Sequence, residues 1–376
     1  MGVCGERSRN FEEHRNRRTI AVQVHQFYPT VSYGDAASNQ ILSLQRLLRR
    51  MGYRGEVFCE HLPLLFEGRA RQITQYARYS SPANILLLHF SMGYSAEVLS
   101  WLEQVPDRKV VIYHNITPHA YFAGINELYF EAAQSGRKQL DRLRALAEAG
   151  WGDSTFNCQE LAERGWTHLG VLPIIFDPRH YAVRPDRKVL KRWQGGVNVL
   201  FVGRVAPNKR FEDLILTFYY LKRFVRPDAR LLLVGSVQKM ESYLEFLQAL
   251  IIRLGLSDVV FTGHVSTSQL VAYYQCASVY LSMSEHEGFG APLLESMHFE
   301  VPIVAYKAAA VPETLGGSGV SVTVKDYAAV AELVGLLVED ESLRAQIVAR
   351  QRERLRDFLP EKIEERLVKR LHDLGM

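Results

Sequence analysis

Short runs of apolar, often β-branched residues recur along this chain, and most are followed by a stretch with helical spacing. In the first half the runs are Ile20 to Val24, Val57 to Cys59, Ile85 to Phe90, Val110 to Tyr113 and Leu169 to Ile175. Unbroken apolar runs, rather than strict alternation, are the pattern of strands covered on both faces. Ile41, Leu42, Leu44, Leu47 and Leu48 mark the apolar face of one intervening helix, closed by Gly52 and Gly55, and Glu131 to Ala149 forms another. A second series follows with Val197 to Val202, Leu231 to Val234, Val259 to Thr262, Ser278 to Ser282 and Ile303 to Tyr306. Strands alternating with helices predict parallel sheets, so the expected class is α/β with two doubly wound sheets.

The boundary between the series falls in Asp177 to Trp193, whose two prolines and many charges read as a linker. The expected organisation is a polar extension at 1–18, a first Rossmann-like domain at 19–180 and a linker at 181–195. A second such domain follows at 196–357, and a terminal helix at 358–376 has Ile363, Leu367 and Leu371 on one face after Pro360. A length of 376 residues fits two domains of ordinary size.

Composition narrows the function classes. The chain is 47% hydrophobic and 23% charged, as soluble globular proteins are, and no apolar run approaches the ~20 residues of a membrane span. A net charge of +4 falls short of the concentrated basic stripe of a nucleic-acid binder, so no nucleic acid partner is expected. Anionic small ligands and peripheral contact with an anionic membrane stay open. The first eighteen residues mix charges and lack the apolar core of a secretory signal. Cys4, Cys59, Cys158 and Cys276 lack metal-site or disulfide spacing, and reduced thiols in the cytoplasm are expected.

Candidate chemistry concentrates after the run that ends near Ser282. Ser284-Glu285-His286-Glu287-Gly288-Phe289-Gly290-Ala291-Pro292 opens a helix carrying Leu293, Leu294, Glu295 and Met297. Gly288 and Gly290 let backbone N–H groups approach a ligand, and Pro292 suits a first helical turn. Glu287 and Glu295 accept hydrogen bonds where hydroxyls donate them, so a phosphorylated polyol suits the segment better than phosphate alone. Taken singly, both glutamates read more readily as solvated groups, with Glu287 complementing the helix dipole.

In the same half, Val202 leads into Gly203-Arg204-Val205-Ala206-Pro207-Asn208-Lys209-Arg210. Arg204 and Lys209 can converge on a diphosphate, one as a planar fork and one as a point charge, although loop cations are often merely solvated. In the first half, His114 and Asn115 end a strand, His89 ends another, and Asp153-Ser154-Thr155-Phe156 begins a helix. A satisfied edge histidine and an N-cap are the plain readings of these. No Asp-x-Asp, no G-x-G-x-x-G after the first strand and no G-x-x-x-x-G-K-[ST] occurs, so no metal, nicotinamide or ATP site is expected.

The Glu287 to Glu295 segment, with Gly203, Arg204 and Lys209, resembles the donor site of retaining glycosyltransferases of family 4, especially hexosyltransferases of bacterial surface polysaccharides. The resemblance covers nearly everything after residue 18 and is strongest from Gly203 to Glu295. It implies a GT-B fold, with two Rossmann-like domains facing across a cleft and the terminal helix packing back on the first domain. It implies catalytic roles for Glu287, His114, Arg204 and Lys209. Donor binding would fall to Gly34, Gly203, Arg204, Lys209, Glu287, Gly288, Phe289, Gly290, Ala291, Leu294 and Glu295. Asp35, His114 and Asn115 would face the acceptor; where the family commonly has Gly-Gly this chain has Gly34-Asp35, which makes the acceptor side the less defined.

The implied reaction transfers a hexose, with mannose from GDP-mannose as the reading, from a nucleoside diphosphate sugar to a glycan or lipid-linked glycan, without metal or cofactor. A sugar-nucleotide epimerase and a non-catalytic sugar-nucleotide-binding relative are the alternatives.

Overall fold

A computed structural model describes residues 22–32 and 36–376. The extension at 1–18, Gly34 and Asp35 therefore lie outside the described residues. The first sheet comprises β1 (Val24–Tyr28), β2 (Val57–Cys59), β3 (Arg71–Gln72), β4 (Ile85–Phe90), β5 (Arg108–Tyr113), β6 (Ala149–Gly152) and β7 (Leu169–Val171). The second comprises β8 (Asn198–Val202), β9 (Arg230–Val234), β10 (Val259–Phe261), β11 (Val279–Ser282), β12 (Ile303–Tyr306) and β13 (Val320–Val322). Their orders are β3-β2-β1-β4-β5-β6-β7 and β10-β9-β8-β11-β12-β13, with every strand pair parallel. Every residue of β4 is buried, as an unbroken apolar run between two helical layers requires.

The order of strands reverses between β1 and β4 in one sheet and between β8 and β11 in the other. At such a switch the helices leave on opposite faces, and a crevice opens beyond the carboxyl ends of the two strands. The residues after β8 are Gly203 and Arg204; those after β11 lead to Glu287. The topology thus sets the two candidate segments side by side.

Four expectations need correction. Ile20 and Ala21 lie outside the described residues, and the first strand runs on from Val24 to Tyr28 instead of ending at Val24, which carries the polar His25 and Gln26 into a central strand. Both are satisfied there: His25 Nδ1 accepts from Glu56 N–H at 3.2 Å, and Gln26 Nε2 donates to Ile41 O at 3.2 Å. β6, with the sequence Ala-Gly-Trp-Gly, was not expected from apolar periodicity. A Cβ on Gly150 would come within 2.8 Å of the Trp166 ring, so the strand needs glycine for close packing. The helix placed at Glu131 to Ala149 spans Glu127–Leu146, capped by the Asn126 side chain accepting from Tyr129 N–H. The stretch read as linker contains a helix, Arg187–Trp193, capped by Asp186 and anchored through Val189 and Trp193 in the second core.

The last helix, Pro360–Asp373, turns Ile363, Leu367 and Leu371 into a cluster with Val24, Leu44, Ile85, Leu87 and Trp151 of the first unit. The chain therefore passes between the units twice. Ile175 lies in the first core and Phe176 in the second, while Phe358 lies in the second and Ile363 in the first. The two crossings touch, Phe176 N–H donating to Phe358 O at 2.8 Å. Leu367→Ala should cost about 2–5 kcal/mol of stability, the range for removing a fully buried leucine. Chemical denaturation checks this, and a loss below ~0.5 kcal/mol would mean that the helix does not complete that core.

Candidate active site between the two sheets

A cavity of about 320 Å³ opens between the carboxyl edges of the two sheets. The chain reaches it on the second unit by two turns. After β8, a 3₁₀ turn, Pro207–Lys209, ends at Arg210, whose φ of 53° swings the backbone into the helix Phe211–Tyr220. After β11, Gly290 with φ 89° caps the helix Ala291–His298, where Pro292 occupies the first turn. Asn208 ties these turns together: its Nδ2 donates to His286 O at 3.0 Å, and its carbonyl accepts from Glu285 N–H at 2.9 Å.

Of the expected residues, His114, Asn115, Arg204, Lys209, Glu287, Gly288, Phe289, Gly290 and Ala291 line this cavity together. Gly203, Leu294 and Glu295 instead line an adjoining cavity of about 300 Å³, which shares Ala36, Ile174, Ala291 and Pro292 with the first.

Lys209 Nζ lies 2.5 Å from Glu287 Oε2, both side chains being mostly buried. Arg204 has no carboxylate partner among the described residues. Its guanidinium sits 4.3 Å from the ring centroid of Tyr129, which comes from the first unit, and reaches Gln238 O at 3.4 Å. Glu285 belongs elsewhere, held by Lys325 at 2.8 Å and Arg210 at 3.4 Å, with Asp213 bridging Lys325 at 2.6 Å. His286, beside Glu287, is neutral at neutral pH, since burial and then the Lys209 charge push its pKa down to about 4.

Glu295 accepts from the hydroxyls of Tyr181 and Tyr274, both at 2.6 Å. Burial raises its carboxyl pKa, and the two phenols pull it partly back. Neither tyrosine was singled out in the sequence, because nothing local marks residues more than twenty positions away as partners of one carboxylate.

On the first unit, His114 Nδ1 stands 2.8 Å from Asp153 Oδ2, and its Nε2 stands 2.9 Å from His89 Nδ1. His89 Nε2 in turn meets Gln26 Oε1 at 2.9 Å. Asn115, at φ 73°, donates from Nδ2 to Asn157 Oδ1 and Glu160 Oε2, each at 3.0 Å.

The two units touch across the cavity. Ser154 Oγ donates to Gly288 O at 2.8 Å. The Glu313 carboxylate of the second unit accepts from Thr155 N–H at 2.7 Å and Thr155 Oγ at 3.0 Å, at the amino end of the helix Thr155–Glu163. Gly288 packs so closely that a Cβ there would fall 2.7 Å from His114 O and 2.6 Å from Asn115 Cβ.

The arrangement offers two cations, the carboxylates of Glu287 and Asp153 and helix-end N–H groups around one cavity, a set suited to an anionic, hydroxyl-rich ligand. Among the described residues no helix is long and apolar enough to cross a membrane.

Residues 184–354 match the family described as glycosyl transferases group 1. A GDP-mannose-dependent alpha-(1-6)-phosphatidylinositol monomannoside mannosyltransferase of Mycolicibacterium smegmatis is 32% identical over 183 residues, covering 45% of this chain and 47% of that protein. O-antigen chain mannosyltransferase B of Escherichia coli is 28% identical over 158 residues, covering 42% of this chain and 40% of that protein. The chain thus spans less than half the length of these relatives. Among solved structures, HepE of Anabaena in complex with UDP-glucose aligns with a TM-score of 0.73 at 17% identity, covering 93% of this chain and 99% of that one. Sucrose-phosphate synthase of Thermosynechococcus elongatus aligns at 0.70 and 18% identity, covering 94% and 99%. The fold, two parallel sheets facing across a cleft, is GT-B.

Proposed function

We propose that this chain, which carries the glycosyl transferases group 1 region at residues 184–354 on a GT-B fold, moves a hexose from a nucleoside diphosphate sugar to a hydroxyl of a glycan or lipid-linked glycan. The observation that carries this reading is the convergence of Arg204, Lys209 and Glu287 on one cavity at the strand switch. The mannosyltransferase relatives support mannose as the hexose and GDP-mannose as its donor. UDP-glucose in the Anabaena protein supports a nucleotide-sugar donor in general.

In this scheme the diphosphate lies against Arg204 and Lys209, where negative charge grows as the glycosidic bond to phosphate breaks. Fixed cations there lower the barrier as an oxyanion hole does. Lys209 arrives already ordered by Glu287. As the diphosphate takes over the ammonium, the Glu287 carboxylate turns to sugar hydroxyls, joined by the N–H groups around Gly290. The nucleoside extends toward Glu295 in the adjoining cavity, where a ribose hydroxyl replaces a tyrosine.

Retaining glycosidases set two carboxylates across the scissile bond; here Glu287 is salt-bridged and Glu285 is held in a separate network, so retention by transfer on the donor's own face is the mechanism we assign.

The test is a panel of nucleotide sugars with glycan and lipid-linked acceptors, read as released nucleoside diphosphate and as new glycoside. GDP-mannose is expected to give both; hydrolysis or epimerisation without an acceptor product would overturn transfer. Because the diphosphate grip is built from side-chain cations, activity should survive exhaustive EDTA treatment. Abolition by chelation with recovery on adding Mg²⁺ or Mn²⁺ would refute that grip.

A further inference from the structure

A row of four side chains, Gln26 in β1, His89 in β4, His114 just after β5 and Asp153 just after β6, runs from the first sheet to the cavity wall and has a proton count that admits few solutions. Gln26 in β1 donates from Nε2 to the Ile41 carbonyl, which orients its amide so that Oε1 faces His89 Nε2 at 2.9 Å. An amide oxygen can only accept, so His89 carries its proton on Nε2. His89 is fully buried, and burial holds its pKa well below the ordinary histidine value. Its Nδ1 is therefore a bare acceptor. His114 Nε2, 2.9 Å away in a ring tilted by only 10° from that of His89, must donate to it. The remaining nitrogen of His114, Nδ1, faces the Asp153 carboxylate at 2.8 Å.

With Asp153 ionised, as a carboxyl beside the more basic imidazole is, a neutral His114 leaves one of these contacts without a proton. With its proton on Nε2, a lone pair on Nδ1 faces a carboxylate; with its proton on Nδ1, two bare nitrogens face each other. Protonation at both nitrogens satisfies the contacts to His89 and Asp153 together.

We propose that His89 is a positioning residue that holds His114 as an imidazolium against Asp153, so that His114 serves the cavity as half of a fixed charge pair and not as a proton acceptor. His114 lines the cavity while both of its nitrogens bond to protein, and what it presents to a ligand is its carbon edge and its backbone. Across the cavity Lys209 and Glu287 pair with each other, and Arg204 turns to Tyr129 and Gln238. The proton of an attacking hydroxyl therefore leaves by another route, toward the departing diphosphate if the proposed transfer is right.

The proton assignment is independent of that reading; only its kinetic arm rests on it. Full-length protein labelled with ¹⁵N-histidine, examined at pH 7.5 by long-range ¹H–¹⁵N correlation, reports the charge and tautomer of each ring directly. His114→Gln identifies the His114 signals. The expected result is two protonated-type nitrogens for His114 and an Nε2–H neutral ring for His89. In His89→Leu the imidazolium signature should be lost and kcat should fall on the order of tenfold with donor KM little changed, the scale for losing a group that orients another. His89→Gln, which can still accept from His114 Nε2, should keep the signature and stay nearer wild type. A neutral His114 in the wild-type spectrum, or an unchanged imidazolium in a folded His89→Leu, would overturn the proposal. Failure of the transfer reading would look different: the spectra as expected, with no donor turned over.

Discussion

Lys209→Ala is expected to lower kcat/KM by at least ~100-fold, the scale for removing one preorganised charge-stabilising group. Two effects act in the same direction. The diphosphate loses a cation where its charge increases, and Glu287, now without its 2.5 Å partner, turns an unbalanced carboxylate toward an incoming polyanion. The second effect is separable. Lys209→Ala combined with Glu287→Gln should recover part of the donor affinity lost in Lys209→Ala while leaving kcat low, because neutralising residue 287 removes repulsion but restores no cation. Steady-state kinetics with direct titration of nucleoside diphosphate measures both. A stably folded Lys209→Ala enzyme with turnover near wild type would remove Lys209 from the diphosphate site.

Gly288→Ala should be nearly as damaging, for a steric reason alone. The φ of Gly288 is not in the left-handed region, so alanine is tolerated by the backbone, but its Cβ would meet His114 O at 2.7 Å and Asn115 Cβ at 2.6 Å across the cleft. The obstructing atoms include main chain at the end of a central strand and cannot swing aside. The units should be held apart by about an ångström, with the Ser154 to Gly288 bond strained or lost. Since each unit has its own core, thermal stability should fall little, while kcat/KM falls on the order of 100-fold because reacting groups come from both walls. Activity within threefold of wild type would mean that the contact between Gly288 and His114 is not needed for reaction.

Most of the fold was legible because strands buried on both faces write themselves as unbroken apolar runs; β4 and β12 have the expected limits. β6 was hidden because glycines that let Trp166, Asn157 and Cys158 pack close are indistinguishable, in one dimension, from glycines of a turn. β1 was displaced toward the more apolar side because His25 and Gln26 are polar, and their burial depends on partners from other segments. The candidate site divides in the same way. The segments from Gly203 to Lys209 and from Glu287 to Ala291 were legible, since their spacing sits on single strand-to-helix turns. The Lys209 to Glu287 pair, the tyrosines on Glu295 and the His89 to Asp153 row were not. Each joins residues from separate strands or helices, and only the strand order brings them within reach.

The return of the helix Pro360–Asp373 to the first unit also orders events during synthesis. A ribosome delivers residues 22–175 long before Ile363, Leu367 and Leu371, yet these side chains complete the apolar cluster around Val24 and Leu44. The earlier unit therefore cannot finish well before the later one, as it usually would. The second core, which uses residues from Phe176 to Phe358, receives its last side chains only shortly before the first does, and until then the first exposes a strip of its sheet to water and to chaperones. The nascent first unit is thus the aggregation-sensitive part of the chain until residue 371 has emerged, although it is the part made earliest.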